Sequence, residues 1–466
     1  MRARFQHVHL VGIGGIGMCG IAEVLLNLGY RVSGSDLKPG PITDRLIRLG
    51  AGVRLGHAEE HVHGADVVVV SSAVGADNPE VRRAHALKVP VIPRAEMLAE
   101  LMRLKHGIAI AGSHGKTTTT SMTAHVLTDA GLDPTAVIGG RLRAFGSTSR
   151  LGKGELLVAE ADESDRSFLM LSPVLAVATN IDREHLEAYR DFDDLADSFA
   201  SFLNHIPFWG LAVVCADDPT LLELLPRLRR RVVTYGFDPG ADLVATSVWT
   251  RGHTSGYQLE RQGDALGRGA LGEVRLGVPG RHNALNSLAT VAVALELGVP
   301  FDVIARSLAR FEGADRRLEV KGEARGVLVV DDYGHHPTEI RATLAALKEA
   351  YGRRVVCVFE PHRYSRVAAL FEEFSRSFAD ADTLLVADLY PAGEKPVPGI
   401  DAPALAESIR KAGHGDVRYG GAAGDTARAA LALVRPGDLL LTLGAGQVTH
   451  AADAALKALR ETAPAS

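Results

Sequence analysis

Short apolar segments alternate along the chain with longer segments of helical pattern, and this alternation restricts the fold more than any other feature. Strand-like runs such as HVHLVG (7–12), HGIAIAG (106–112) and GVLVVDDY (326–333) each lead into a polar or glycine-rich turn. Strands separated by helices pair in parallel, because the crossover helix returns the chain to the same end of the sheet. The sequence therefore predicts an α/β protein built on parallel sheets.

The length indicates several domains, because 466 residues exceed what one core of about 100–200 residues holds. Three are predicted: residues 1–105, Rossmann-like; 106–312, a central domain like a P-loop ATPase; and 313–466, again Rossmann-like. Glycine-interrupted alternation over 243–280 predicts a small antiparallel part beside the central parallel sheet.

Composition excludes several classes of partner. A net charge of −5 does not favour binding to nucleic acid or to a membrane surface. The sequence contains no run of 18 apolar residues, so no membrane span is predicted. Cys19, Cys215 and Cys357 form no C-x-x-C pair, so neither a disulfide framework nor a zinc site is expected. With no signal-peptide pattern at the N-terminus, we expect a cytoplasmic protein, as a monomer or homodimer.

The first glycine-rich loop, GIGGIG, follows a predicted strand and opens a helix. It places Gly12, Gly14, Gly15 and Gly17 where backbone N–H groups can approach a diphosphate, and Asp36 ends the next strand. Three interpretations stay open: a nicotinamide or flavin site, a site for another diphosphate nucleotide such as a UDP-sugar, or a tight turn without a ligand.

A second loop, GSHGKTTTT from Gly112 to Thr120, is typical of a triphosphate site. Ile110 stands where the longer P-loop pattern has its first glycine, which leaves G-x-x-G-K-T. Lys116 can reach the β- and γ-phosphates and Thr117 can bind Mg²⁺. A polar helix start with a chance lysine is disfavoured by the strand–loop–helix context.

Acidic and histidine side chains follow the next two predicted strands. Glu160 ends one strand, with Asp162, Glu163 and Asp165 close behind, and His185 follows another. The carboxyl ends of parallel strands meet at one edge of a sheet, so Thr117, Glu160 and His185 are predicted to meet around metal ions. Two nucleotide loops suit an enzyme that presents a nucleotide-carried substrate to a γ-phosphate better than they suit an oxidoreductase.

Seven motifs occur in an order that resembles the Mur ligases: GIGGIGM, GSHGKTTTT, EADESD, TNIDREHLE, GRHNALN, DDYGHHPTEI and EPHRYSR. The resemblance covers essentially the whole chain. It implies three α/β domains that bind a UDP-sugar, ATP and an amino acid. It also implies that ATP phosphorylates the lactyl carboxylate of UDP-N-acetylmuramate, and that the amine of L-alanine attacks the acyl phosphate. ATP and Mg²⁺ are the implied cofactors.

The resemblance also implies roles for individual residues. The UDP-sugar would contact Gly12, Gly14, Gly15, Gly17, Asp36, Ser71 and Ser72. The ATP phosphates would contact Gly112, Ser113, His114, Gly115, Lys116, Thr117 and Thr118. Metal ions would bind Thr117, Glu160 and His185. Asn283 and Asn286 would contact adenine, Asp332 the ribose and Arg316 the transferred phosphate. Tyr333, His335, His336 and Arg363 would shape the alanine pocket, where His335 or His336 could accept the amine proton.

One departure separates branches of the family. Several Mur ligases carry a carbamylated lysine after the TN-x-x-x-x-H segment, and residues 189–202 contain no lysine. This favours the branch that adds L-alanine. A recycling ligase that adds a whole murein tripeptide and a nicotinamide-dependent oxidoreductase are the alternatives.

Overall fold

The computed structural model describes residues 5–71, 73–142, 147–262 and 267–461. The chain forms two compact units, one made of Met1–Thr246, Gln258–Val274 and Leu285–Phe311 and the other of Ser247–Tyr257, Arg275–Ala284 and Glu312–Ser466. Three sheets of five, ten and six strands carry the predicted α/β architecture. Among the described helices, none combines the length and hydropathy that a bilayer crossing requires.

The first sheet is wholly parallel and has its first strand at the centre, in the order β3-β2-β1-β4-β5. Its strands are β1 His7–Val11, β2 Arg31–Asp36, β3 Gly52–Leu55, β4 Val67–Val70 and β5 Val91–Pro93. Its helices are α1 Ile16–Asn27, α2 Pro41–Arg48, α3 Pro79–Ala86 and α4 Arg94–Met102. Every residue of β1 is buried, as expected of a strand covered on both faces.

A buried polar network surrounds Glu80 in α3, on one side of this sheet. The Glu80 carboxylate is bonded to Nε2 of His9 at 3.1 Å and Nδ1 of His61 at 2.9 Å, and it accepts a bond from the Ser35 hydroxyl at 2.7 Å. The carbonyl oxygen of Ser35 accepts the N–H of Gly12 at 2.8 Å. The network therefore joins α3, the neighbouring strands β1 and β2, and the start of the first glycine loop.

The second sheet has ten strands in the order β15-β14-β13-β12-β11-β10-β6-β9-β7-β8. They are β6 His106–Ala111, β7 Thr135–Leu142, β8 Ser147–Arg150, β9 Leu156–Glu160, β10 Leu175–Ala178, β11 Leu211–Cys215, β12 Arg231–Gly236, β13 Leu243–Arg251, β14 Thr254–Arg261 and β15 Gly269–Leu276. The helices are α5 Lys116–Asp129, α6 Phe192–Asn204, α7 Pro219–Leu224, α8 Arg281–Glu296 and α9 Phe301–Ala309. Strands β9, β6, β10, β11 and β12 run parallel.

Hairpins extend this sheet at its two ends. Residues 252–253 alone connect β13 to its neighbour β14, and so short a connection requires antiparallel strands, as predicted for this region. At the other end, β8 pairs antiparallel with β7. The β7–β8 hairpin was not predicted, and it packs against α1 of the first sheet.

The third sheet has six strands in the order β16-β17-β21-β18-β19-β20, with β16 antiparallel and the others parallel. The strands are β16 Glu319–Ala324, β17 Val327–Asp332, β18 Val355–Phe359, β19 Thr383–Ala387, β20 Val417–Gly421 and β21 Leu439–Leu443. The helices are α10 Pro337–Tyr351, α11 Tyr364–Ala369, α12 Phe371–Ser375, α13 Ala402–Lys411, α14 Ala423–Leu431 and α15 Val448–Glu461. Apolar clusters cover both faces, which explains the near-continuous apolar strands.

Candidate functional site

The first glycine loop connects β1 to α1 and lies against Asp36. The N–H of Gly14 donates to Asp36 Oδ2 at 2.9 Å, and a Cβ on Gly14 would lie only 2.8 Å from that oxygen. Gly12 has a φ of +77°, which favours glycine. Glycine is therefore needed where the strand turns toward the helix, and Asp36 sits at the loop as the spacing predicted.

The other residues predicted for this loop lie nearby, with one outside the described residues. Gly15 caps α1 and Gly17 lies in its first turn. Ser71 follows β4, and its Oγ would be 3.8 Å from a Cβ on Gly12. Ser72 is not among the described residues, and the ligand roles of this set remain predictions.

The second loop runs from β6 into α5 with the geometry of a phosphate-binding loop. Gly112 has a φ of +141° and Gly115 a φ of +82°. A Cβ on Gly112 would overlap the Thr179 hydroxyl, and one on Gly115 would overlap the amide oxygen of Asn286. Thr117 and Thr118 are buried in the first turn of α5. Backbone N–H groups at a helix N-terminus can bind anions, so phosphate binding at this turn remains a prediction.

Contacts with the segment after β10 fix the conformation of this loop. The N–H of His114 donates to Asn180 Oδ1 at 2.8 Å, and the N–H of Asp182 donates to the Ser113 hydroxyl at 2.8 Å. The His114 ring is bonded to Asp182 Oδ2 at 2.9 Å. Ser113 and His114 therefore position the loop, and sequence reasoning had not identified Asn180 and Asp182 as their partners.

Lys116 lies at the centre of the loop. Its Nζ donates to the carbonyl oxygens of Gly112 and Ser113 at 2.5 and 3.1 Å, and to Glu163 Oε1 at 2.8 Å. Burial opposes its charge, but the carboxylates of Glu163 and Glu160 outweigh burial and raise the pKa of Lys116. Lys116 is therefore held as a cation where phosphate groups would approach the loop.

Glu163 is the carboxylate that binds Lys116. Burial raises the pKa of Glu163 to about 7, although the charge of Lys116 acts in the opposite direction. Within the described part of the chain, its Oε2 is buried and has no hydrogen-bond partner. The run of acids after Glu160 was the sequence signal for this residue, although Glu160 was the acid selected for the site.

Thr117 and Glu160 form an oxygen-rich pair beside Lys116. The Thr117 hydroxyl donates to Glu160 Oε2 at 3.0 Å and lies 3.3 Å from Oε1. Glu160 lies beside Ile110 in the β6–β9 register, so strand pairing brings the acid to the loop. Hydroxyl and carboxylate oxygens are the ligands that Mg²⁺ prefers, so the pair fits this ion.

His185 follows β10, which neighbours β6 on the side opposite β9. It has a left-handed φ of +57°, and its Nε2 lies 3.5 Å from Glu184 Oε1. Its described ion-pair neighbours are Glu184 and Glu187, so its predicted meeting with Thr117 and Glu160 stays a prediction. Its role as a metal ligand stays a prediction.

The two asparagines of α8 differ in their surroundings. Asn286 lies against Gly115 of the second loop. Asn283 belongs to the other compact unit, where its Nδ2 donates to the carbonyl oxygen of Pro279 at 2.8 Å. Adenine binding by the two remains a prediction.

In the second unit, aromatic and cationic side chains gather where β17 ends. The guanidinium of Arg316 lies 4.7 Å from the ring centre of Tyr333, and its Nη2 donates to the carbonyl oxygen of Gly444 at 2.5 Å. The His335 ring makes an edge contact with Tyr333 at 5.2 Å. His336 is buried, and its Nδ1 accepts the N–H of Thr338 at the start of α10.

Asp332 and Arg363 complete the predicted set. Asp332 is buried, which raises its pKa, and its carboxylate accepts the N–H groups of Leu318 at 2.7 Å and Gly334 at 2.8 Å. Arg363 follows β18 with a φ of +67°, next to His362. Ribose and alanine binding by these residues remain predictions.

His362 belongs to the same group of rings and was not predicted. Its ring centre lies 5.8 Å from that of His335, and it stacks on Tyr390 at 5.5 Å. Burial, reinforced by neighbouring cationic groups, lowers its pKa to about 3. Its place in the EPHRYSR motif, beside Arg363, was the available sequence signal.

A lysine loop beside a strand-end carboxylate, with a glycine loop on a second parallel sheet, defines a class of nucleotide-dependent phosphoryl-transfer enzymes. Three family descriptions match the chain: "Mur ligase family, catalytic domain" over residues 7–106, "Mur ligase middle domain" over 110–294 and "Mur ligase, glutamate ligase domain" over 316–446. The chain belongs to the Mur ligase family, which confirms the resemblance seen in the seven motifs.

Individual relatives resemble the chain over nearly its whole length. The UDP-N-acetylmuramate–L-alanine ligase of Geotalea uraniireducens (strain Rf4) is 54% identical over 460 residues, 99% of each chain. The solved UDP-N-acetylmuramate-alanine ligase of Thermotoga maritima is 27% identical with a TM-score of 0.81, covering 97% of this chain and 98% of its own. A murein peptide ligase from Psychrobacter arcticus is 25% identical with a TM-score of 0.70, covering 98% and 99%.

Proposed function

We propose that this chain joins L-alanine to the lactyl carboxylate of UDP-N-acetylmuramate at the expense of ATP, in peptidoglycan synthesis. The observation that carries the proposal is the arrangement of Lys116, Thr117 and Glu160, in the same compact unit as the glycine loop at 12–17. The 54% identical relative that carries this activity in its name supports the choice of substrates.

The reaction has two bond-forming steps. A carboxylate oxygen of the sugar first bonds to the γ-phosphorus while ADP leaves. The alanine nitrogen then bonds to the carbonyl carbon, and phosphate leaves as the nitrogen loses a proton. Phosphoryl transfer depends mainly on positioning and charge neutralisation, which is the part assigned to Lys116 and the loop N–H groups.

Mg²⁺ is proposed to bind Thr117 and Glu160. The fit rests on the hard oxygen donors of this pair and on the buried, unpaired Oε2 of nearby Glu163, as far as the described residues extend. When bound, the ion offsets phosphate charge. A second ion at His185 is part of the proposal, and it is supported by the position of His185 in the segment that follows β10 in the chain.

The second unit is proposed to bind the amino acid. The Arg316–Tyr333–His335 group at the end of β17 offers a cation, an aromatic face and a titratable ring. His335 or His336 would accept the amine proton, since histidine is the side chain most often used for proton transfer in catalysis. Arg316 is assigned to the transferred phosphate, Asp332 to the ribose, and Arg363 to the alanine carboxylate.

The remaining assignments complete the proposal. Domains are placed at 1–105, 106–312 and 313–466, and the three matched family regions support this division. A cytoplasmic monomer or homodimer is expected. Cys19, Cys215 and Cys357 are buried and form no disulfide among the described residues, which supports a reducing compartment.

The proposal is tested by phosphate release and product mass with ATP, Mg²⁺, UDP-N-acetylmuramate and L-alanine. All four are expected to be required, and the product is expected to contain one alanine. Release that needs the murein tripeptide and ignores alanine would identify the recycling ligase instead. Saturable NADH binding at the first glycine loop would favour the oxidoreductase.

A further inference from the structure

Arg94 lies between the two phosphate-binding regions of the first unit, although no motif pointed to it. It is the first residue of α4, after the edge strand β5. Its side chain lies on Gly17 in the first turn of α1: a Cβ on Gly17 would be 3.0 Å from Nη1 and 3.1 Å from Cδ. Its other terminal nitrogen, Nη2, lies 3.7 Å from Asp162 Oδ2, just beyond Glu160.

The surroundings of this guanidinium favour an additional anion. Helix N-termini carry partial positive charge, so a cation at the first turns of both α1 and α4 is unfavourable without a negative partner. The Asp162 carboxylate is beyond hydrogen-bonding distance at 3.7 Å and is 41% exposed, so it compensates only weakly. The Arg94 side chain is itself 25% exposed, so solvent and ligands have access to part of it.

We infer that Arg94 binds the diphosphate of the sugar nucleotide, as a side-chain donor that supplements the backbone N–H groups of the glycine loop. The planar guanidinium can donate two parallel bonds to phosphate oxygens, which a lysine cannot. Gly17 allows this approach because it has no Cβ to displace the guanidinium from the helix turn. The inference rests on the proposed function, which places a UDP-sugar at this loop.

The test is calorimetric titration of the full chain with UDP, uridine and ATP. Arg94→Ala is expected to weaken UDP binding by about tenfold to a hundredfold, the loss of a hydrogen-bonded charge on phosphate. Arg94→Lys is expected to lose less UDP affinity than Arg94→Ala, because it keeps the positive charge. Uridine and ATP affinities are expected to stay within about twofold, because neither ligand places a diphosphate at this loop.

Two further variants separate ligand binding from a structural role. Arg103→Ala removes an exposed arginine at the other end of α4 and is expected to leave UDP affinity unchanged. Asp162→Asn removes the ion pair and keeps the guanidinium, so UDP affinity is expected to persist. Two results would show that Arg94 has only a structural role and would overturn the inference. One is an equal loss of UDP affinity in Arg94→Ala and Asp162→Asn, and the other is an equal loss of UDP affinity and uridine affinity in Arg94→Ala.

The inference and the proposed function fail in different ways. A wild-type chain that binds UDP and ligates alanine, with an Arg94→Ala variant that binds UDP equally well, overturns the inference alone. A wild-type chain that binds no UDP overturns both. In steady-state assays, the expected pattern for Arg94→Ala is a raised KM for UDP-N-acetylmuramate with unchanged KM values for ATP and alanine.

Discussion

Replacing Gly112 by alanine tests whether the second loop holds phosphate in the conformation described. The residue has a φ of +141°, and an added Cβ would overlap the Thr179 hydroxyl and lie 3.1 Å from the N–H nitrogen of Asn180. Thr179 cannot easily move, because its hydroxyl donates to the carbonyl oxygen of His114 at 2.6 Å. The loop must therefore shift away from the end of β10.

The size of the effect follows from strain and displacement. A non-glycine residue held in a sparsely populated backbone region costs about 1–3 kcal/mol. A displacement of roughly 1 Å in groups that position a reacting centre costs about a hundredfold in rate. We therefore expect Gly112→Ala to lower stability by about 1–3 kcal/mol and kcat/KM for ATP by about a hundredfold.

Urea unfolding and steady-state kinetics measure the two effects, and Gly131→Ala is the matched control. Gly131 also has a positive φ, of +79°, but a Cβ there meets nothing within 4 Å. The control is expected to lose about 1 kcal/mol of stability with unchanged ATP kinetics. Adding Thr179→Ala to Gly112→Ala should recover part of the loss. A Gly112→Ala enzyme with wild-type ATP affinity and turnover would refute the assigned loop geometry.

The contacts of Lys116, Thr117 and Glu80 lead to three further expected outcomes. Lys116→Ala is expected to abolish turnover while UDP-sugar affinity, measured calorimetrically, stays nearly intact; equal loss of both would show that the two sites are wrongly separated. Thr117→Ala is expected to raise the Mg²⁺ concentration needed for half-maximal phosphate release, because one of two proposed oxygen ligands is lost, and an unchanged Mg²⁺ titration would remove Thr117 from the metal site. Burial alone would raise the pKa of Glu80, but bonds to His9, Ser35 and His61 outweigh it and lower the pKa to about 2. The Glu80 carboxylate therefore contributes about 3 kcal/mol to the free energy of unfolding above pH 4.5, and this contribution is lost as the pH falls toward 2. In urea unfolding, the difference in stability between wild type and Glu80→Gln should narrow over that range. A constant difference would contradict the assignment.

The sequence by itself indicated the alternating strands and helices of this protein and the positions of its two glycine-containing loops. Strands that are buried on both faces of a sheet, such as β1 and β21, are short and largely apolar, and this composition predicts them without knowledge of the fold. The glycines at 12 and 112 were found because positive φ angles and close approaches select glycine locally, whatever the surrounding fold. Strand-end placement also predicted that Thr117 and Glu160 would meet, since neighbouring parallel strands share an edge.

Only the tertiary structure decided which side chains complete those loops. Lys116 pairs with Glu163, 47 residues later, and His114 is held by Asn180 and Asp182 because β10 is the strand beside β6. Arg94 reaches Gly17 only because α4 lies beside α1. Such partners depend on the order of strands and the packing of helices, which local periodicity does not encode, since a hydrogen bond is selected by three-dimensional proximity and not by spacing along the chain.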